Sequence, residues 1–374
     1  MMDIKTLDVK ASHILMISDI HFGAHVNSEE WQDNMKNYFY GFFIPKIKEL
    51  KATLKEDERM ILVNLGDTFN DRKAIDINVY NLAIDIFEDI AKEIETFIIN
   101  GNHDLAKKTN EGNTSLRTIQ YINNVHLITD PTLLNINYEG AKHTKIIAIP
   151  FLGNHELETK YLLESNKAKY AFMHTELTKM KMDNGMLITD GVNTDTFSGL
   201  VYSGHIHKRQ ESSKSIYVGS PYHISKADIG NQKGLYLLNL KTNKHDFIEN
   251  NYSPIYHSLL MEKYVEMSLS ERQAFLNNNY NYIIMKEENV NEYKKKFDIY
   301  NLGIGTTAKS VKPIINKQSL SINVDFNEEY KEKTINELIN ESIESLDILD
   351  DLKEKLIKTS NQYLKEAEAE MAND

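Results

Sequence analysis

The chain of 374 residues contains no cysteine. That excludes disulfides, thiolate zinc sites, iron–sulfur clusters and any cysteine nucleophile, and it suits a cytosolic compartment. No apolar run reaches the ~18 residues that would span a bilayer, and no basic stretch followed by an apolar one opens the sequence. Neither membrane spanning nor signal-directed export is therefore expected. Tryptophan occurs once, whereas asparagine, lysine and isoleucine are abundant, which says nothing about chemistry. Positive charge is also short, with 43 basic against 55 acidic residues and a net charge of −12. The deficit is uneven. Residues 327–374 hold 14 acidic and 6 basic side chains, a net of −8, so residues 1–326 carry only −4. The acidity belongs to the tail, and the body can still meet a polyanion.

From residue 12 to about 250, short apolar runs alternate with helical patterns, an α/β organisation. Strands are expected over 13–18, 59–65, 96–100, 145–150, 169–174, 199–203, 215–218 and 234–240. Trp31, Met35, Tyr38, Phe39, Phe42, Phe43, Ile47 and Leu50 recur at helical spacing and read as core or subunit contact. A second helix, apolar on more than one side, is expected over 75–94. Residues 251–326 read as a small second domain, with a Lys294-Lys295-Lys296 run that is either a solvated face or a DNA contact. The tail lacks Gly and Pro. Ile335, Leu338, Ile339, Ile343 and Leu346 form one helical stripe, and Leu349, Leu352, Leu356 and Tyr363 form another. Such a pair of helices either packs on its own domain or docks a partner helix.

Four motifs follow apolar strands and carry metal-capable side chains. They are Ser18-Asp19-Ile20-His21-Phe22-Gly23, Gly66-Asp67-Thr68-Phe69-Asn70-Asp71, Gly101-Asn102-His103-Asp104 and Gly204-His205-Ile206-His207. His174 ends a fifth strand. Each alone is weak: an Asp beside a His is commonly a structural pair, and Gly-Asn-His-Asp reads equally as a turn. The ordered set, each member at the C-terminal end of a strand, is what points to a site, because α/β sheets expose their functional groups there. Oxygen and imidazole donors without sulfur suit Mn²⁺, Fe²⁺ or Zn²⁺ rather than Cu(I). Seven such donors exceed what one catalytic ion with open positions can use. Two ions sharing a carboxylate, ~3.5–4 Å apart, would use them fully and clamp a phosphate.

The ordered motifs resemble the calcineurin-like metallophosphoesterases and, within them, the SbcD-type nuclease subunits of double-strand-break repair. The segment Gly66-Asp67-Thr68-Phe69-Asn70-Asp71-Arg72-Lys73-Ala74-Ile75, with His174-Thr175-Glu176-Leu177, is similar to the phage-encoded branch. The resemblance covers residues 12–240 on motifs, extends plausibly over 241–326 and is only compositional in the tail. It implies a two-sheet β-sandwich flanked by helices over 1–250, a small α+β capping and DNA-contact domain over 251–326, and a helical docking hairpin over 327–374. It also implies that Asp19, His21, Asp67 and His207 hold one ion and that Asp67, Asn102, His174 and His205 hold the other, with Asp67 bridging and Mn²⁺ as the expected metal. By the same resemblance His103 donates to the scissile phosphate or leaving group, and Asp104 orients it. The implied activity is DNA phosphodiester hydrolysis, as exonuclease or endonuclease, by a homodimer working with an SMC-like ATPase subunit. The location is the cytoplasm, that of the host if the chain is phage-encoded. The family's cellular members usually carry histidine where Asn70 stands, which leaves the exonuclease-to-endonuclease balance open.

Two other functions fit parts of the pattern. One is a phosphoesterase for small substrates such as cyclic nucleotides, which would not need the extra domain or the tail. The other is a DNA-tethering scaffold without catalysis, against which the intact donor set and His103 stand. Gly303-Ile304-Gly305-Thr306-Thr307-Ala308-Lys309-Ser310 nearly spells a phosphate-binding loop, but Ala308 replaces the second glycine and Pro313 follows closely, so no ATP site is expected. His25, His126, His155 and His245 are expected to be surface or hydrogen-bonded histidines.

Overall fold

The computed structural model describes residues 4–107, 113–138, 143–165, 167–286, 291–292, 308–316, 353 and 355–360. The chain begins with strands β1 (Lys5–Lys10) and β2 (His13–Ile17), helices α1 (Glu29–Tyr38) and α2 (Ile44–Ala52), β3 (Met60–Asn64), α3 (Ile77–Glu93) and β4 (Glu95–Ile99). There follow β5 (Val125–Ile128), β6 (Thr132–Asn137), β7 (Thr144–Ile149), α4 (His155–Glu164), β8 (Tyr170–His174), β9 (Leu200–Gly204), β10 (Gln210–Glu211) and β11 (Ser215–Tyr217). Then come β12 (Gly234–Asn239), β13 (Lys244–Glu249), β14 (Tyr256–Leu260), α5 (Met261–Glu266), α6 (Leu269–Leu276), β15 (Tyr280–Lys286) and β16 (Ser310–Asn316).

Two large sheets face each other. One has the order β1-β6-β7-β8-β9-β11-β10 and the other β13-β12-β2-β3-β4-β5. The central strands read as unbroken apolar runs because both of their faces are covered. Along β2, Ile14 and Met16 enter the core between the sheets with Val63, Phe97, Ile146, Phe172 and Tyr202. Its alternate residues Leu15 and Ile17 turn outward under Trp31, Met35, Phe39, Phe43 and Phe87. The outer face of the first sheet is covered in the same way, with Ile147, Ala171 and Met173 packed beneath Leu162 of α4 and Met180, Ile188 and Val192 of the 175–199 segment. The result is the layered α/β sandwich that the motifs implied.

All eight expected strands are present, but β1, β5, β6, β10 and β13 are additions within the two large sheets, and β14, β15 and β16 are additions beyond them. β1 and β13 are edge strands whose side chains are mostly exposed or half-buried, so they lack the apolar run that marks an interior strand. The helix expected over 31–50 is interrupted by a π-helical turn at Phe39–Phe43, between α1 and α2. The extra residue per turn keeps both Phe39 and Phe43 buried. Ser28 caps α1 and Asp76 caps α3 through their side chains. The apolar faces of these helices are spent on one another and on the sheet beneath, which leaves Tyr40 and Ile77 as their exposed large apolar residues.

β14, β15 and β16 form a separate, wholly parallel three-stranded sheet. It carries its own small core of Met261, Tyr264, Leu276, Ile283 and Met285. Asn34 of α1 donates to Tyr280 Oη at 2.7 Å and ties this sheet to the body. Met1–Lys317 forms one compact unit and Gln318–Asp374 a second, of which residues 353 and 355–360 are described, as helix. The Lys294–Lys296 run, most of the near-phosphate loop at 303–307 and nearly all of the tail stripes lie outside the described residues. Ser310 begins β16, and Pro313 pairs with Ile283 within it. Among the described residues no helix is long and apolar enough to cross a membrane.

The C-terminal ends of β2, β3, β4, β8 and β9 meet along one edge of the sandwich. Gly204, at the end of β9, marks how close they come. A Cβ there would lie 2.7 Å from the Leu65 carbonyl oxygen and 2.8 Å from His174 Nδ1, and would strike Ser18 Oγ. These atoms come from three strands of two sheets, so none can retreat without moving a layer. Gly204→Ala is expected to lower stability by about 1–3 kcal/mol, the usual cost of overpacking a filled core. Urea unfolding of the variant against the parent checks the value.

Candidate metal centre

The loop after β2 and the loop after β3 are zipped together by backbone hydrogen bonds. Asp19 N–H donates to Gly66 O at 3.0 Å, His21 N–H to Asp67 O at 3.1 Å and Phe22 N–H to Thr68 O at 2.8 Å, while Asn70 N–H returns to Phe22 O at 2.9 Å. Within this zipper Asp19, His21 and Asp67 all adopt φ of 52°, and His205 across the cleft has φ of 85°. Four of the expected ligands therefore sit in the left-handed region, which non-glycine residues avoid at a cost of order 1–3 kcal/mol each. Gly66, with φ of 101°, has no such alternative, because a Cβ there would fall 2.5 Å from His174 Nδ1 and 2.8 Å from the Gly101 backbone.

These loops bring the expected residues into two adjoining groups. Ligand atoms of Asp19, His21 and His207 lie within 4.8 Å of one another, and so do those of Asp67, His174 and His205. His21 Nε2 stands 2.9 Å from His207 Nε2. Asp67 joins the groups, with Oδ2 3.3 Å from His174 Nε2 and 3.7 Å from His21 Nε2. Its other oxygen accepts the His103 backbone N–H at 2.7 Å. Asn102 belongs to the second group, its Oδ1 lying 3.0 Å from His174 Nε2 and 2.7 Å from His205 Nδ1. His174 Nδ1 donates to the Leu65 carbonyl at 2.7 Å. That bond makes Nδ1 a donor and turns Nε2 toward Asp67, the arrangement that orients a ligand histidine.

The donor chemistry fits divalent cations. Every contributing atom is a carboxylate or amide oxygen or an imidazole nitrogen. Asp19 Oδ2 and His21 Nδ1 are buried and make no hydrogen bond within the protein, so the first group is not a self-satisfied network. Burial alone would push the Asp67 carboxyl up. The charge and hydrogen bond of His174, with His21 next, override it and hold Asp67 well below the usual carboxylate range. Burial likewise works against charge on His174, and Asp67 outweighs it, so His174 is raised. His21 is held well below the ordinary imidazole value, by burial first and by His207 second. Metal binding adds to this balance by replacing protons on the imidazoles.

His103 stands at the margin of the first group. Its ring meets that of His21 edge-on, with centroids 5.0 Å apart, and its Nδ1 donates to the Asn70 carbonyl at 2.7 Å. The expected orienting role of Asp104 is replaced by a different one. The Asp104 carboxylate accepts the backbone N–H groups of Thr68 (3.0 Å), Phe69 (3.1 Å) and Gly101 (2.9 Å). Those amides all lie within reach of a side chain buried between the two loops, so Asp104 fastens the loop after β3 to the loop after β4. The Asn70 backbone supports His103 in its place. Burial, with the Asp67 charge second, raises Asp104 against the pull of these three amides.

Sequence reasoning missed several supporting side chains. Glu176 Oε1 lies 3.5 Å from His205 Nε2, on the side away from Asn102. Its position two residues after His174 was a usable signal. Asp183 accepts the backbone N–H groups of His207 (3.3 Å) and Lys208 (3.0 Å) from a hairpin turn that no motif marks. The Phe151 ring stacks over His205 at 6.2 Å. The four histidines set aside have structural partners: His25 with Ile224 O, His126 with Glu95, His155 with Asp190, and His245 with Tyr202 Oη.

Comparisons with known proteins place this geometry. Over 367 residues the chain is 25% identical to exonuclease subunit 1 of Enterobacteria phage T4, spanning 95% of this chain and 99% of that one. It is 26% identical over 211 residues to a protein of Invertebrate iridescent virus 3 described as phosphoesterase 078R, across 54% of this chain and 55% of the relative. The sequence profile of the calcineurin-like phosphoesterases matches residues 12–209, a span that contains both ligand groups and every strand end that supplies them. With paired groups of Asp and His donors joined by one carboxylate on a two-sheet sandwich, the chain belongs to the calcineurin-like phosphoesterase family, whose members are metal-dependent hydrolases of phosphoesters.

Proposed function

We propose that the chain is a DNA nuclease subunit that hydrolyses phosphodiesters at a pair of Mn²⁺ ions. The observation that carries this reading is the position of Asp67 Oδ2 between His174 and His21, 3.3 and 3.7 Å away, which gives two ligand groups one shared carboxylate. Asp19, His21, His207 and Asp67 would hold one ion, and Asp67, Asn102, His174 and His205 the other. When bound, such a pair supplies charge for the phosphoryl oxygens and activates the attacking water. His103 presents its remaining ring nitrogen to the phosphate and gives a proton to the leaving oxygen, while the Asn70 carbonyl keeps its Nδ1 protonated. Asp104 keeps the two loops in register by binding amides of both.

A DNA substrate is favoured over a small one by the extent of similarity to the phage exonuclease subunit, which runs through the third sheet as well as the sandwich. On this reading residues 1–250 carry the chemistry, residues 251–326 contact DNA and residues 327–374 dock an SMC-like ATPase. The tail's net charge of −8 and its apolar stripes suit a basic partner surface with an apolar seam. A homodimer is part of the same proposal, with the exposed Tyr40 and Ile77 as its anchors. The discriminating measurement is turnover of plasmid and linear DNA against bis-p-nitrophenyl phosphate, with Mn²⁺ and with a chelator. Hydrolysis of the small ester with DNA left intact would favour the small-substrate function, and inertness toward both would favour the scaffold.

Asp67 serves both groups, so Asp67→Ala is expected to abolish cleavage and weaken the binding of both ions while the circular dichroism of the fold persists. Nuclease activity near that of the parent would remove the shared-carboxylate assignment. His103→Ala is expected to leave two ions bound per chain and to slow cleavage by about 10²–10⁴-fold, the range for loss of a proton donor. Calorimetry separates the cases, because loss of an ion would make His103 a ligand.

A further inference from the structure

A buried ion pair with no part in the chemistry above lies behind His207. Lys233, the residue before β12, is 3% exposed, and its ammonium sits 2.5 Å from Asp228 Oδ1. Asp228 is anchored in turn, with Oδ2 accepting the backbone N–H groups of Ile224 and Ser225 at 2.9 Å each. The same ammonium donates to the backbone carbonyl of His207 at 2.5 Å. Ser220 N–H reaches that carbonyl as well, at 3.0 Å. On the opposite side of the residue, Asp183 takes the N–H groups of His207 and Lys208. The His207 backbone is thus gripped from three places in the chain.

A buried ion pair is poor support for stability alone, since well-packed apolar side chains of similar volume commonly do as well or better. Apolar side chains cannot supply the ammonium's second bond, to the His207 carbonyl. A lysine has three donors and no acceptor, so one buried ammonium can satisfy Asp228 and the carbonyl at once. We propose that Lys233 is a positioning residue for His207, held by Asp228 so that its ammonium fixes the carbonyl and aims the imidazole at His21, where the two Nε2 atoms stand 2.9 Å apart. Ser220 N–H and Asp183 hold the same backbone through fixed neighbours, and Lys233 adds the one restraint on it that is a buried side-chain charge. This inference rests on the assignment of His207 as a ligand.

The experiment is Mn²⁺ titration by calorimetry of the metal-free full chain, with thermal unfolding recorded in chelator. The variants are Lys233→Met, the double variant Lys233→Met with Asp228→Asn, and His207→Ala. The double variant leaves no unpaired buried charge and guards against a simple failure of Lys233→Met to fold. One of the two binding steps is expected to weaken by roughly 10–100-fold, the usual loss when a ligand's support is removed, with the other step nearly unchanged. Two unaltered steps in a folded variant, whatever its melting temperature, would overturn the positioning role, and so would failure of both Lys233 variants to fold, which would assign the pair to stability. His207→Ala separates the two claims. If it also leaves both steps intact, the ligand assignment fails and takes the inference with it. If it removes one step while the Lys233 variants do not, only the positioning role is lost.

Discussion

The carboxylate of Asp67 is 2% exposed and ionised, and the arrangement around it follows from that. An isolated buried anion is too costly to keep, so it must be surrounded by donors and positive charge. One oxygen takes the His103 amide and the other faces His174 and His21. Those partners come from three different strand ends, so the loops bearing them must keep a common register to within tenths of an ångström. The backbone zipper between the loops after β2 and β3, and the three amides on Asp104, are the means. The left-handed conformations of Asp19, His21, Asp67 and His205 are the accompanying strain, maintained because the surrounding hydrogen bonds leave no relaxed alternative.

Neither sheet contains the site. Asp19, His21, Asp67 and Asn102 follow strands β2, β3 and β4 of one sheet, whereas His174, His205 and His207 follow β8 and β9 of the other. Carboxylates and the amide thus come from one layer, and all the imidazoles but His21 from the other. The closing of each ligand group is therefore set by how the sheets pack, through side chains such as Met16, Phe97, Phe172 and Tyr202 in the core between them. A core at crystal-like density transmits that spacing with little give. The same dependence accounts for Gly204, where a single methyl group would have to be absorbed by both layers.

The helices show where sequence pattern is ambiguous. An apolar surplus on 31–50 and 75–94 reads equally as core or as a subunit contact. Packing of the helices on one another and on the outer face of β2 and β3 absorbs most of it, and the π-helical turn at Phe39–Phe43 brings in two aromatic rings that a regular helix would have turned further round. Asp104 is a parallel case at the site. An acid following a histidine suggests a partner for that histidine, yet adjacent residues in a tight turn point apart, and its carboxylate finds backbone amides instead.

The sharing of Asp67 between two ions came from the family resemblance, whereas the sequence by itself determined eight of the strands, the order of the motifs and the metal-capable residue types at the strand ends. Those features are local: a doubly covered strand must be apolar throughout, and a metal ligand must be Asp, His or Asn immediately after it. The edge strands β1 and β13 and the interior strand β6, buried at alternate residues only, escaped because a half-exposed strand carries no such run. Which side chains support the ligands was decided only by tertiary structure. Asp183 and Lys233 sit in connecting segments without a motif, 24 and 26 residues from His207, and Asp228 at the end of a short 3₁₀ turn holds Lys233. Asp183 and Lys233 reach it because hydrogen bonds to a backbone depend on where a chain passes and not on what it is made of, and that position is fixed only when both sheets close.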